Sequence, residues 1–375
     1  PGGRLTATVA AAPDWAWAAG AEVPCPPITP THHLDEFARF LTDLVDRYKR
    51  PPYYIKHWEL FNEPDYGGGP EGHDNGLACW GNYGDLYAQM LAVAYPAIKA
   101  ADPEATVLMG GVAHDRFTVP GPGPFLRYFP DEVMENGGGA YMDVLNFHYF
   151  QDFHAEWERW VPEGNPPTCG IVDDGVGTPY EASGIDLIAK TNHFRNRMST
   201  CFGVDKPIWV TEMAEHGFPD YSDDDPESLA GQARYVIQGS VRGLAAGAEN
   251  LTWYALSTPD DDYEFQLLDK EWTPKPAFHT YQTLTSELSG YEYARTLDVP
   301  DVEGYVFEDS SQQEKTAAWG SGTLTFAPAG QLRVVDREGN VTFIVDGGPE
   351  DADGVENGAV ELQLSADPVF VTVSN

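Results

Sequence analysis

The sequence predicts an α/β fold, a (β/α)8 TIM barrel, followed by a C-terminal antiparallel β-sandwich. Short apolar strands alternate with amphipathic helices over residues 1–288, which is typical of a parallel sheet with right-handed crossovers. Two of these strands end in a glutamate and a polar loop, as active-site strands of a barrel do. Over residues 289–375 short β-rich runs and turn signals replace the helical spacing. We therefore predict a barrel domain and a smaller β-domain.

The elements of the first domain follow from apolar periodicity. We expect strands near residues 5, 55, 106, 143, 208 and 251, and helices over about 37–48, 83–101, 125–136, 185–200, 228–246 and 276–288. A closed barrel has about eight strands, and only six are evident here. The count predicts that the first two βα units of the barrel are missing from the sequence.

Composition excludes several classes of function. The 375 residues carry 59 acidic and 22 basic side chains, a net charge of −37, which argues against nucleic acid and other polyanionic partners. No run of about 20 apolar residues indicates a membrane span. Four cysteines are too few for a disulfide scaffold, and pairing of Cys25 with Cys79 or of Cys169 with Cys201 stays open, as does the oligomeric state.

The two strand-end glutamates, Glu63 and Glu212, point to acid–base and nucleophilic chemistry. If two strands precede the sequence, they lie on the fourth and seventh strands and face each other across the barrel mouth. Retaining glycosidases need two carboxyl groups about 5 to 5.5 Å apart. The alternatives are a carboxylate that caps a loop amide and, for the second position, Glu215. Glu59 shares the strand parity of Glu63 but lies deeper, so we expect a buried structural carboxylate there.

Several motifs in the same order resemble a known group of enzymes. The run Trp58-Glu59-Leu60-Phe61-Asn62-Glu63-Pro64 and the run Trp209-Val210-Thr211-Glu212 are similar to the acid/base and nucleophile strands of the clan A retaining glycoside hydrolases, most closely family 39 and its endo-acting relatives. His148-Tyr149 matches their sixth strand, Trp253 their eighth and Pro274-Lys275-Pro276-Ala277 the start of their last helix. The resemblance extends over about residues 5–288.

The resemblance implies roles for individual residues. Glu63 would be the general acid and then the base, Glu212 the nucleophile, and Asn62 a ligand of the sugar 2-hydroxyl. His148 or Tyr149 would hydrogen-bond the nucleophile, although each could equally belong to the core.

Aromatic residues are expected to contact the sugar. Trp253 would form an apolar floor under a ring, with core packing as the alternative. Trp15, together with other tryptophans of the predicted loops, would suit further sugar subsites, and some of these side chains would only pack loops; the others are Trp17, Trp80, Trp157 and Trp160.

We therefore predict a glycosidase that cleaves β-glycosidic bonds in a neutral oligo- or polysaccharide by double displacement. A transglycosidase and a catalytically inactive carbohydrate-binding barrel are the alternatives. No histidine pair has the HExxH spacing and no phosphate-binding glycine loop is present, so we expect neither a metal nor a cofactor. We expect an extracellular or cell-surface location, although no signal peptide is visible in the sequence.

Overall fold

The structure is a computed structural model that describes residues 4–16, 33–67, 80–118, 123–154, 157, 169, 184–215, 225–257 and 265–374. By compactness the chain divides into two units. Unit 1 comprises Pro1–Ile185 and Ala189–Glu212, and unit 2 comprises Asp186–Ile188 and Met213–Asn375. The predicted boundary at residue 288 between a barrel and a β-domain stays a prediction.

Parallel strands organise unit 1. They are β1 (Thr6–Val9), β2 (His57–Leu60), β3 (Thr106–Met109), β4 (Leu145–Phe150) and β5 (Ile208–Ala214), whose last two residues belong to unit 2. β1, β2 and β3 are neighbours in one sheet, with Thr6 opposite His57 and His57 opposite Thr106. Parallel bridges continue this order from β3 to β4, and β4 lies beside β5. The C-terminal ends of all five strands consequently lie along one edge.

Helices alternate with these strands as their apolar periodicity predicts. The helices are α1 (Leu34–Tyr48), α2 (Gly84–Ala101), α3 (Phe129–Glu135) and α4 (Asp186–Arg197), which a π-helical segment (Met198–Phe202) continues. In α1 the buried residues Leu34, Phe37, Leu41 and Val45 recur every three to four positions, so one face packs inward. Short 3₁₀ turns lie at Asp14–Ala16, Gly138–Tyr141 and Gln151–Phe153.

The strands of unit 1 are buried on both faces. In β3 the consecutive residues Val107, Leu108 and Met109 have no exposed surface, which is typical of a parallel sheet covered on both sides. In β2 the charged Glu59 is buried between Trp58 and Leu60. A carboxylate in such a position needs hydrogen-bond donors, and these are described below.

The helical part of unit 2 contains α5 (Pro226–Ala245), β6 (Asn250–Trp253) and α6 (Pro276–Leu288). The Asp225 side chain caps α5 by accepting from Ser228 N, and Pro226 occupies the first turn, where no backbone donor is required. After β6, Tyr254 N donates to Met213 O. The six strands and the helices predicted from the sequence are therefore all present.

The C-terminal part of unit 2 is antiparallel. Its strands are β7 (Tyr291–Thr296), β8 (Val302–Asp309), β9 (Glu314–Gly320), β10 (Thr323–Phe326), β11 (Gln331–Val335), β12 (Val341–Val345), β13 (Val360–Gln363) and β14 (Val369–Ser374). Six form a sheet in the order β12-β11-β14-β9-β8-β7, and β10 pairs with β13. Leu324, Val360, Leu332 and Val371 share one core, so the two sheets pack together. The predicted antiparallel β-region is confirmed.

Among the described residues, no helix combines the length and the apolar character that a membrane span requires.

Candidate active site

The structure brings Glu63 and Glu212 together at the C-terminal ends of two strands of unit 1. Glu63 follows β2, Glu212 lies in β5, and their side chains are 12% and 23% exposed. One carboxyl oxygen of each glutamate and one ring nitrogen of His148 lie within 4.8 Å of one another. Both side chains are thus mostly buried and close together, and each keeps a small exposed surface.

Backbone strain marks the loop that carries the first glutamate. Phe61 and Glu63 have φ angles of 69° and 43°, in the left-handed region that residues with a side chain rarely adopt. Glu63 N donates to Gly111 O (3.0 Å), which holds this conformation against the end of β3. Strained non-glycine residues of this kind cluster at functional sites, where the surrounding structure enforces them.

His148 on β4 lies between the two glutamates. Its Nδ1 atom is 3.1 Å from Glu63 Oε1 and 3.4 Å from Glu212 Oε2, and its side chain is 1% exposed. The other ring nitrogen, Nε2, is 3.3 Å from Thr211 Oγ1. A single imidazole therefore contacts both carboxyl groups with one nitrogen and a buried hydroxyl with the other.

Burial dominates the protonation of the pair. It raises the pKa of Glu63 to about 7, against the opposing charges of Lys190 and Arg116. Burial also raises the pKa of Glu212 to about 7; His148 lowers this value, and the negative charges of Glu63 and Glu59 raise it further. Because the two carboxyl groups are close, a negative charge on one opposes ionisation of the other.

Glu59 anchors the base of the site. Its carboxylate accepts from Gly111 N (2.9 Å), Asn146 Nδ2 (2.7 Å) and Thr8 Oγ1 (3.0 Å), and it is 4% exposed. Thr211 Oγ1 lies 3.2 Å from the same carboxylate. These bonds join strands β1, β2, β4 and β5 and the end of β3. The expectation of a buried structural carboxylate at this position is confirmed.

Gly111 makes room for the imidazole. A Cβ atom at this position would lie 2.1 Å from His148 Nε2 and 2.4 Å from His148 Cδ2. The buried histidine ring would have to move to relieve these two clashes. Only glycine lets the end of β3 pass so close to β4.

A second buried charged cluster supports the loops around Glu63. Asp65 is fully buried and accepts from Ala113 N (3.1 Å) and His114 N (2.8 Å), which joins the loop after β2 to the loop after β3. Lys190 on α4 is 1% exposed, and its Nζ atom donates to Ala113 O (2.6 Å) and His148 O (3.0 Å). Burial lowers the pKa of Lys190 to about 8, against the neighbouring acids.

Asp115 completes this cluster. Its Oδ2 atom is 4.0 Å from Lys190 Nζ, and burial raises the pKa of its carboxyl group despite that cation. Burial likewise raises the pKa of Asp65 to about 7. The cation and the acids together hold the ends of β3 and β4 in place beside Glu63.

Asn62 and Tyr149, two other predicted site residues, differ in their burial and hydrogen bonds. Asn62 is half-buried, and its side chain makes no hydrogen bond within the described part of the chain, so its amide can bind a ligand. Tyr149 is buried, and its hydroxyl lies 2.7 Å from His154 Nδ1. Because successive strand residues point to opposite faces, Tyr149 faces away from the side on which His148 meets the glutamates.

The tryptophans divide into exposed and buried side chains. Trp15 is 65% exposed, with its ring edge against His33 (5.3 Å between centroids). Trp253 lies in unit 2, is 7% exposed and donates from Nε1 to Phe265 O (2.8 Å). Trp80 and Trp157 are fully buried and therefore pack loops, whereas Trp17 and Trp160 lie outside the described residues.

Glu63, His148 and Glu212 could together hold a metal ion, because each offers one ligand atom and these atoms lie within 4.8 Å of one another. They supply only three such atoms, and carboxyl pairs of this kind also occur without an ion. Elsewhere, Cys169 and Cys201 form a disulfide, while Cys25 and Cys79 lie outside the described residues.

Sequence reasoning missed most of the residues that surround the pair. Asn146 lies two positions before His148 on β4, so strand parity could have indicated that it shares a face with His148. Thr211 directly precedes Glu212, so its adjacency to the nucleophile could have indicated it. Asp65 closes the Asn-Glu-Pro-Asp run. Lys190 gives no signal, since a lysine in an amphipathic helix is normally exposed.

Comparisons with known proteins place this geometry in context. No protein-family model matches the chain, and no curated protein does. Solved structures match: a family 39 glycoside hydrolase from the gut symbiont Bacteroides cellulosilyticus WH2 is 22% identical, with a TM-score of 0.60, over 90% of this chain and 61% of its own length. The chain thus spans less than two thirds of that enzyme.

Two further solved structures extend the comparison. A glucosidase from Croceicoccus marinus is 13% identical, with a TM-score of 0.61, over 100% of this chain and 79% of its own. The catalytic domain of the GH30 xylanase C from Talaromyces cellulolyticus is 12% identical, with a TM-score of 0.53, over 91% of this chain and 67% of its own. At these identities the likeness shows the fold alone. As a likeness of fold, the resemblance to clan A glycoside hydrolases is confirmed.

Proposed function

We propose that this protein is a retaining glycosidase that cleaves β-glycosidic bonds in a neutral oligo- or polysaccharide by double displacement. The observation that carries the proposal is the carboxyl spacing: an oxygen of Glu63 lies within 4.8 Å of an oxygen of Glu212. Retaining enzymes place their carboxyl groups about 5 to 5.5 Å apart, whereas inverting enzymes need about 6.5 to 9.5 Å to admit a water molecule between acid and base. The names of the similar structures, a glucosidase and a xylanase among them, support the same class of reaction.

In the first step Glu212 is the nucleophile. Its ionised carboxylate attacks the anomeric carbon, the bond from that carbon to the glycosidic oxygen breaks, and Glu63 transfers its proton to the departing oxygen. The raised pKa of Glu63, about 7, keeps that proton available near neutral pH. The products of this step are the released alcohol and a glycosyl ester of Glu212.

In the second step Glu63 is the base. It takes a proton from water, the water oxygen attacks the anomeric carbon, and the ester bond breaks to regenerate the carboxylate of Glu212. Esterification removes the charge of Glu212, which lowers the pKa of Glu63 and suits it to this role. If a sugar hydroxyl replaces water here, the same site performs transglycosylation.

Asn62, Trp15 and Trp253 are the proposed sugar ligands. The free amide of Asn62 directly precedes Glu63, where it suits the sugar 2-hydroxyl, and the exposed ring of Trp15 suits stacking against a sugar face. Trp253 would stack its ring face against a sugar ring, because its N–H already donates to Phe265 O. The net charge of −37 favours neutral over anionic glycans, and an extracellular polysaccharide is the proposed setting.

We further propose that the parallel strands belong to a (β/α)8 barrel. Adjacent parallel neighbours from β1 to β5, with helices between them, support this architecture. Both proposed catalytic residues lie at the C-terminal strand ends, where barrel enzymes carry their active sites. The antiparallel region from residue 289 onward would then be an accessory domain.

The test is hydrolysis of a panel of p-nitrophenyl β-glycosides and β-linked polysaccharides by the wild type, by Glu212→Ala and by Glu215→Ala as the matched control. We expect turnover by the wild type and by Glu215→Ala, and loss by Glu212→Ala that added azide partly restores. ¹H NMR of the first-formed sugar should show the β anomer. Negligible turnover by the wild type on the whole panel would support a carbohydrate-binding protein instead, and an α anomer would contradict retention.

A further inference from the structure

The six-stranded sheet of unit 2 has two free edges that differ in character. β12 forms one edge and β7 the other. β7 carries the charged residues Glu292 and Arg295 and has an irregular register between Tyr293 and Arg295. Charges and bulges are the features that keep an edge strand from pairing with another chain. β12 pairs with β11 in an unbroken register and contains no charged residue, so it lacks this protection.

Three apolar side chains of β12 face solvent. Val341, Phe343 and Val345 are 46%, 55% and 49% exposed, whereas Ile344 is 5% exposed and belongs to the core that the two sheets share. Because successive strand residues point to opposite faces, the three exposed side chains form one row, the β12 row. Single exposed apolar residues are common, but a contiguous row along a free edge is typical of a surface that a partner covers.

The backbone of the β12 row points away from the sheet. Asp336 N donates to Asn340 O (3.0 Å), so this pair beside the hairpin turn is hydrogen-bonded between β11 and β12. In an antiparallel ladder such pairs alternate with pairs whose backbone groups face outward, and the register assigns the β12 row to the outward set. Val345 O accepts from Gly348 N. The other outward N–H and C=O groups of the row have no partner within the described part of the chain.

The β12 row is complementary to itself. Antiparallel pairing of two identical strands about a two-fold axis places residues equally far from the axis opposite each other. With the axis at Phe343, the order Val–Phe–Val reads the same in both directions, so Phe343 faces Phe343 and Val341 faces Val345. The outward backbone groups then exchange hydrogen bonds, and the aromatic pair adds a cross-strand contact. Beyond the strand, Asn340 of one copy meets Asp346 of the other, so no like charges face each other there.

We propose that this protein forms a two-fold symmetric dimer in which β12 pairs antiparallel with β12 of a second copy. The pairing does not depend on the proposed function. It occupies the free β12 edge of both copies, and β7 is protected, so association ends at two copies.

The size and charge of this interface set its strength. Only five residues of each copy pair, which is little beside the roughly 800 Å² per partner that a standard interface buries, so we expect a dissociation constant of roughly 10 to 100 µM. The net charge of −37 on each copy opposes association. Added salt screens this repulsion and should therefore strengthen the dimer.

Sedimentation velocity from about 1 µM to about 1 mM tests the dimer. The wild type should shift from monomer to dimer across this range, and about 0.5 M NaCl should move the midpoint to lower concentration. Phe343→Lys and, independently, Val345→Lys place a charge in the paired strand and should weaken the dimer by roughly ten-fold or more. Tyr293→Lys, the matched control, makes the same charge change on β7 and should dimerise like the wild type. Circular dichroism checks that each variant is folded.

Amide hydrogen exchange locates the contact. The N–H groups of Val341 and Phe343 should exchange more slowly above the dissociation constant than below it, whereas the N–H of Thr342, which points to β11, should not respond to concentration. A dimer whose protection is confined to other elements overturns the proposal. So does a wild type that stays monomeric to about 1 mM, a dimer that neither β12 variant weakens, or association beyond two copies.

Discussion

Glu63 in unit 1 and Glu287 in unit 2 are both removed from solvent, yet their carboxyl groups are shifted in opposite directions. Burial raises the pKa of Glu63 to about 7, and the imidazole of His148 lies 3.1 Å from its carboxyl group. Burial also acts on Glu287, but hydrogen bonds from Arg333 (2.8 Å) and Lys315 (2.7 Å) outweigh it and lower the pKa of that carboxyl group.

The difference separates a reactive carboxyl group from a structural one. Glu287 on α6 accepts from two cations on β9 and β11, so its charge is neutralised and it ties the helix to the sheet. Within the described ranges no lysine or arginine contacts Glu63, and the buried Lys190 donates to two backbone carbonyls instead. A carboxyl group that exchanges a proton must avoid the partners that a structural carboxylate needs.

The largest expected effect is on catalysis. Glu63→Ala should lower kcat/KM for alkyl β-glycosides by roughly 10²- to 10⁴-fold, the usual contribution of a general acid, while the protein stays folded. Steady-state kinetics and circular dichroism measure the two quantities. Dinitrophenyl glycosides should be affected less in the first step, and azide should then accelerate release of the sugar. A uniform loss on all substrates, with no azide effect, would contradict the assignment.

The complementary change at Glu287 should affect stability. Glu287→Ala removes the carboxylate that neutralises the buried Lys315, which should cost about 3 to 5 kcal/mol of unfolding free energy in urea at pH 7. Because the pKa of Glu287 is lowered in the fold, its contribution is present above about pH 4.5 and is lost as pH falls through the folded-state value. The folded fraction should keep its kcat. A loss below about 1 kcal/mol would show that the pair is not desolvated.

The raised pKa of Glu63 predicts an opposite dependence on pH. The folded state binds this proton more tightly than the unfolded chain, so ionisation costs stability as pH rises from about 4.5 to about 7. Glu63→Gln should therefore be stabilised by up to about 3 kcal/mol above pH 7 and by almost nothing at pH 4. Thermal unfolding of both proteins across this range measures the difference. A constant difference would mean that the pKa is not shifted.

A smaller effect is expected from crowding the imidazole. Gly111→Ala should displace His148 and destabilise the fold by about 1 to 3 kcal/mol, with a clear loss of turnover. Gly330→Ala is the matched control, since a Cβ atom there meets nothing within 4 Å. Urea unfolding and kinetics distinguish the two variants. Equal behaviour would show that the close approach of β3 to His148 is unimportant.

The smallest expected effect is that of metal removal. Because the proposed chemistry uses two carboxyl groups and an imidazole without an ion, dialysis against EDTA should leave kcat/KM within about two-fold, as general acid and nucleophilic catalysis require no metal. Activity before and after dialysis, with Ca²⁺, Mg²⁺ and Zn²⁺ added back in turn, measures this. A loss that one of these ions reverses would reassign Glu63, His148 and Glu212 as ligands.

Much of the fold could be predicted because apolar periodicity is local information. The spacing of Phe37, Leu41 and Val45 predicted α1, and the aromatic run up to Leu60 predicted β2, because each pattern reports burial of the element that carries it. Parity also predicted the burial of Glu59. What periodicity cannot report is which buried polar atoms meet across strands that lie far apart in the sequence.

The sequence by itself determined the alternation of strands and helices, the antiparallel C-terminal region and two glutamates at strand ends. Tertiary structure alone decided that His148 contacts both glutamates, that Thr211 and Glu59 meet its far side, and that Lys190 is buried. The physical reason is that a hydrogen bond depends on atoms separated by about 3 Å, whereas Glu59 and Thr211 are 152 residues apart along the chain. Only the pairing and packing of the strands bring such atoms within reach.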